Sequence, residues 1–192
     1  MQEGSEKIKS GSELKECPED LSLNNTIFLF EEEFAVTDAQ DPRPAMLTGE
    51  ILGFNETGCI GLLYLDPEKQ VAAMGHLFNK ERLEDYSRDM IGAIRSKTST
   101  TNRLKGFIVR PQITEALLAQ IQKIESENLQ SGILESGFQF ISERSVVFDT
   151  RTSSFLKPTP KLFPGGHPSD RPYGKNRYDP QTGKPRWAKA YP

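Results

Sequence analysis

Thr57-Gly58-Cys59-Ile60-Gly61-Leu62-Leu63-Tyr64-Leu65-Asp66-Pro67, continued by Val71-Ala72-Ala73-Met74-Gly75-His76, is the stretch that decides the fold. Two apolar runs of strand length flank Asp66-Pro67-Glu68-Lys69, a turn with proline near its start and charge at its tip. Paired as a hairpin, the runs bring Cys59 and His76 toward the same end, because 17 residues leave room for two strands and a turn. One of two cysteines and one of two histidines thus meet, each beside a glycine. A thiol next to an imidazole is a common way to build a cysteine nucleophile. The plainer reading is a small core cysteine beside a satisfied polar side chain.

Outward from the hairpin, residues 26–37 (TIFLFEEEFAVT) read as one strand, with Ile27 and Leu29 on one face and Phe28 and Phe30 on the other. Glutamates 31–33 mark a bulge or an exposed edge. Residues 46–54 read as a strand interrupted by Gly49 and Gly53, and Asn55-Glu56-Thr57-Gly58 as a turn. After His76, Asn79 suits an N-cap for a helix over 80–97, whose Leu83, Tyr86, Met90, Ile91 and Ile94 recur at helical spacing. Residues 104–110 form a short strand ended by Pro111. Residues 114–130 form a second helix with Leu117, Leu118, Ile121 and Ile124 on its buried face. Two strands, 133–141 and 145–148, then flank a charged turn, and a further turn leads to residues 155–157.

The 192 residues suit one domain with tails. Residues 1–25, rich in Gly, Ser, Glu and Lys, read as a flexible N-terminal tail. Within it Cys17 lies between Glu16 and Glu19, whose charges make it a poor nucleophile. Residues 158–192 form a Pro-rich basic C-terminal tail. From Lys157 on there are eight of the 13 prolines, and eight Lys/Arg against two Asp. Aromatic residues interleave with those cations, a pattern suited to a protein groove, an anionic surface or nucleic acid, or to folding back on the acidic body.

Net charge of −3 gives no nucleic-acid footprint for the whole chain. There is no run of 18 apolar residues for membrane insertion and no apolar core of a secretory signal. Two cysteines in unlike settings argue against a disulfide framework and for a reducing, cytoplasmic setting. Secretion by a leaderless route is the alternative. One Cys and one His without clustered carboxylates fall short of a metal site, and no Gly-rich phosphate loop is present, so no metal or cofactor is expected.

Three blocks carry a resemblance: residues 30–36 (FEEEFAV), residues 58–69 with 73–76 (GCIGLLYLDPEK and AMGH), and residues 144–152 (RSVVFDTRT). They resemble the CheD family of bacterial chemoreceptor glutamine deamidases. That family has a Gly-Ser-Cys turn, a strand ending in a YDP turn and a GGM-x-H strand, with the nucleophile 17 residues before the histidine. Its closing hairpin reads GR-x-V-x-F-D-x-x-TG. The resemblance covers about residues 26–157. It implies an α+β fold, a layered sandwich of mixed and antiparallel sheet with two flanking helices. It also implies a cysteine-dependent amidohydrolase that turns protein glutamine into glutamate through a Cys59/His76 dyad.

The family places a threonine six residues before its cysteine as the histidine's partner. Here that position is Gly53, so the resemblance leaves the hydroxyl to Thr57, Asn55 or Thr48, with Thr57 as the choice. The Thr57-Gly58-Cys59 step is similar to that of the related cytotoxic necrotizing factor toxins, which points to a bacterial effector as well as to chemotaxis. The implied partner is a protein presenting a glutamine, with a protein partner for the basic tail. The alternative is a non-catalytic CheD-like module or adaptor that binds a protein.

Overall fold

Strands Lys15–Glu16 (β1), Thr26–Leu29 (β2), Glu33–Asp38 (β3), Ala45–Thr48 (β4), Ile60–Asp66 (β5) and Val71–Leu77 (β6) precede helix Leu83–Thr98 (α1). Strand Lys105–Val109 (β7), helix Glu115–Gln130 (α2) and strands Gln139–Ile141 (β8), Val147–Asp149 (β9) and Ser154–Lys157 (β10) follow. The computed structural model describes residues 14–29, 31–48, 59–78, 80–159 and 162. The fold is α+β, with two mixed five-stranded sheets and two helices. One sheet has the order β3-β6-β5-β7-β8 and the other β1-β10-β9-β4-β2.

The β5–β6 hairpin is the middle of the first sheet. Its turn is held by buried Asp66, whose Oδ1 accepts from the N–H of Glu68 (3.1 Å) and of Lys69 (3.0 Å). Both strands are buried along their whole length, because each face meets a different layer. Ile60, Leu62, Tyr64 and Ala73 face the helices, against Tyr86, Met90, Ile94 and Leu117. Leu63, Leu65, Ala72 and Met74 face the second sheet, against Ile27, Leu29, Met46 and Phe148. The period of two sorts one strand between the two cores. Phe155 joins the sheets edge-on, with ring centroids 5.1 Å from Phe107 and 5.0 Å from Phe148.

Both helices lie on the outer face of the first sheet. The predicted stripe of α1, from Leu83 to Ile94, is buried as read, and the helix ends at Ser99 in the left-handed region (φ 52°). Thr114 caps α2, its Oγ1 accepting from the N–H of Leu117. Leu118 is exposed, unlike the rest of the stripe predicted for this helix. The proposed cap Asn79 lies outside the described residues. Among the described residues no helix is long and apolar enough to cross a membrane.

Three expectations are corrected. The run 26–37 is not one strand. β2 and β3 belong to different sheets, and the chain crosses between them at Glu31 and Glu32. The two strands expected around residues 143–144 also part company, β8 pairing with β7 in one sheet and β9 with β4 and β10 in the other. Residues 14–25 are not a loose tail. β1 pairs parallel to β10, the Cys17 N–H donates to the Lys157 carbonyl (3.1 Å), and Cys17 and Leu21 are buried.

Those two side chains cover the outer face of the second sheet together with Leu162, against Phe28, Leu47 and Val147. Leu162 also shows that the packed chain runs past residue 158. Residues 1–13 and 163–192 lie outside the described residues. The closing β9–β10 hairpin forms as predicted, with Phe148 opposite Phe155.

If residues 17–21 are structural, Leu21→Ala will cost about 2–4 kcal/mol in urea unfolding, as for a buried leucine. A freely solvated residue 21 would give a change near zero.

Candidate functional site

The β5–β6 register sets the geometry. Gly61 lies opposite His76, and Cys59 precedes Gly61 by two residues, so Cys59 and His76 share a face as diagonal neighbours. That face is the one turned to the second sheet. Cys59 packs with Val109 and Val146 at one end of the sandwich. The cysteine is 1% exposed and the histidine 3%. The sequence reading that both fall at the same hairpin end therefore agrees with the register.

His76 is oriented by main chain. Its Nδ1 lies 3.3 Å from the Leu29 carbonyl. A carbonyl only accepts, so this hydrogen bond puts the proton of the neutral ring on Nδ1 and makes Nε2 the basic nitrogen. A buried carboxylate, Glu33, stands directly opposite His76 on β3.

Glu31 and Glu32, between β2 and β3, border the cysteine. The Cys59 thiol donates to Glu31 Oε1 at 3.7 Å. The Glu32 N–H donates to the His76 carbonyl at 2.6 Å, and its Oε1 accepts from the Phe78 N–H at 2.7 Å. Arg110, buried just past β7, is a cation acting on Cys59 from the other side. Burial pushes the Cys59 thiol up to about 12, reinforced by the charge and hydrogen bond of Glu31 and by the charge of Glu32, while Arg110 pulls it back. At rest Cys59 is a protonated thiol.

Cys17 is also held up, at about 11, chiefly by burial. The carboxylate that adds to this is Asp149, not the flanking Glu16 or Glu19 proposed from sequence.

Of the hydroxyls considered as the histidine's partner, Thr48 is engaged elsewhere: its Oγ1 accepts from the Val146 N–H at 3.1 Å. Thr57, Asn55 and Gly53 lie outside the described residues. The Leu29 carbonyl escaped sequence reading because any residue supplies one. Glu31 and Glu32, read from sequence only as part of a bulge or an exposed edge, had one available signal: three successive carboxylates inside an apolar run. No group of three or more His, Cys, Asp and Glu able to hold a metal ion exists among the described residues. No family model matches the chain, and no curated protein matches it.

The thiol shift has a pH signature. The folded thiol of Cys59 sits above its ordinary value of 9.0, so between 9.0 and about 12 the native state holds a proton that the unfolded chain has lost. Stability is flat below the ordinary value and falls as pH rises through that window. Urea unfolding from about pH 8 to about pH 11 will show a shallower fall in Cys59→Ala than in the wild type. A remaining slope belongs to the other groups held above their ordinary values, among them Cys17, Tyr64 and Lys97. Identical slopes would mean that Cys59 titrates normally.

Proposed function

We propose that the protein is a cysteine-dependent amidohydrolase, a CheD-like glutamine deamidase acting on another protein. The observation that carries this reading is the register that sets Cys59 on the same sheet face as, and diagonal to, a histidine whose ring is oriented by the Leu29 carbonyl. The choice of glutamine comes from the resemblance to the CheD blocks.

Cys59 passes its proton to His76 Nε2 as the sulfur attacks the side-chain carboxamide carbon. The imidazolium then protonates the departing nitrogen, and ammonia leaves behind a thioester. His76 next takes a proton from water, and the hydroxide attacks the thioester carbonyl. The thiolate leaves and recovers its proton from the imidazolium, so the enzyme returns unchanged and the substrate carries a glutamate. Thr57 is the residue proposed for the supporting hydroxyl.

The first step needs a thiolate, which the resting site disfavours. Glu31 is exposed and therefore displaceable. A substrate that lifts its carboxylate off the sulfur removes a charge that opposes ionisation. The same resting thiol also favours a second reading, a CheD-like module that binds a protein partner without chemistry. In either case the proposed setting is the cytoplasm or, as an effector, outside the cell, and the basic C-terminal segment supplies a further contact for a protein.

Ammonia release from glutamine-bearing proteins separates the readings. The enzyme predicts release by wild type and at least about a thousand-fold loss in Cys59→Ala and in His76→Ala. Release at the wild-type rate by Cys59→Ala would overturn it. A wild type that releases none, yet binds the same partner as Cys59→Ala, would establish the module instead.

A further inference from the structure

Glu32 has an unusual backbone for a charged, non-glycine residue. Its φ of 65° lies in the left-handed region, which a side chain with a Cβ adopts at a cost. The other such non-glycine residues among those described, Gln70, Ser99 and Ser153, lie in turns or end a helix. Glu32 likewise lies in a turn, the one at which the chain leaves one sheet for the other.

Four ties hold it there. Its N–H donates to the His76 carbonyl and its Oε1 accepts from the Phe78 N–H, so it grips β6 on both sides of residue 77. Its Oε2 accepts a short hydrogen bond from the Tyr86 hydroxyl, which also reaches the Glu32 carbonyl at 3.4 Å. Tyr86 is itself buried in α1. One residue thus joins the sheet crossover, the histidine strand and the helix layer. Its neighbours make the two polar contacts of the site, the Leu29 carbonyl to His76 Nδ1 and the Glu31 carboxylate to the Cys59 thiol.

We propose that Glu32, seated by Tyr86, is a positioning residue for the Cys59/His76 pair, fixing the crossover path that sets the Leu29 carbonyl on the imidazole and Glu31 on the thiol. Its consequence for catalysis rests on the amidohydrolase reading; its consequence for the thiol does not. Among the described residues, the charged groups acting on Cys59 are Glu31 and Glu32 from the crossover and Arg110 from the end of β7, with His76 of β6 on the same sheet face. Freeing the crossover moves Glu31, and with it the largest electrostatic brake on ionisation.

The pH profile of iodoacetamide alkylation at Cys59, followed by peptide mass spectrometry on the full chain, tests this. Tyr86→Phe removes only the hydroxyl. It is expected to move the profile down from near 12 toward the ordinary 9.0 and to speed alkylation near neutral pH about tenfold or more. Glu31→Gln should act in the same direction, and the double variant should shift no further than Glu31→Gln alone. A folded Tyr86→Phe with the wild-type profile overturns the proposal, as does a double variant in which the two shifts add. If Tyr86→Phe does not fold, Glu32→Gln takes its place. The Glu32 charge itself also raises the thiol, so part of its shift persists beside Glu31→Gln. The shift should still be smaller in the Glu31→Gln background than in the wild type, and an equal shift overturns the proposal. Because alkylation needs no substrate, a wild type without deamidase activity sinks the functional reading and leaves this one standing. An unchanged profile does the reverse.

Discussion

The antiparallel ladder between β5 and β6 is the constraint on which the remaining structure depends. Its register, with Gly61 across from His76, decides which side chains enter each core. A slip of β5 by one residue would turn Leu63 and Leu65 toward the helices, and Leu62 and Tyr64 toward the second sheet. The same slip would take Cys59 and His76 off a common face. Asp66 secures that register from the turn, through two backbone hydrogen bonds. Packing and site geometry thus have one cause.

At the other end of the hairpin, two demands conflict. Burying Cys59 among Val109 and Val146 is favourable for a thiol and unfavourable for a thiolate. Glu31 and Glu32 deepen that preference, and Arg110 only offsets part of it. A rise from 9.0 to about 12 corresponds to a difference on the order of 4 kcal/mol between the two protonation states. Any chemistry at this sulfur must recover that amount from pairing with His76 and from displacing the Glu31 carboxylate. The resting site therefore holds its sulfur as a thiol.

Much of this was legible in the sequence where a period repeats. The β5–β6 hairpin and both helices follow from alternation or helical spacing together with turn residues, whereas the closing β9–β10 pair was implied by the resemblance. The break inside residues 26–37 was not legible, because alternation looks the same on both sides of a crossover. The residue that makes the turn, Glu32, is not a glycine, so its left-handed backbone left no mark. Sparse anchors were hidden for a different reason. Cys17, Leu21 and Leu162 sit in polar or proline-rich surroundings whose average composition suggests solvent, yet their side chains are buried against one sheet face. At the site, residue types announced the thiol and the imidazole. The orienting Leu29 carbonyl and the helix-borne Tyr86 depend on tertiary placement alone.

The proton position on His76 bears most directly on whether this site can work as described. Nitrogen NMR of the imidazole, followed to a pH at which its shifts no longer change, reads it without reference to any substrate. The orientation by the Leu29 carbonyl requires the proton on Nδ1, with Nε2 showing the shift of an unprotonated nitrogen. A ring protonated on Nε2 instead would contradict the account, because the nitrogen assigned to receive the Cys59 proton would already carry one.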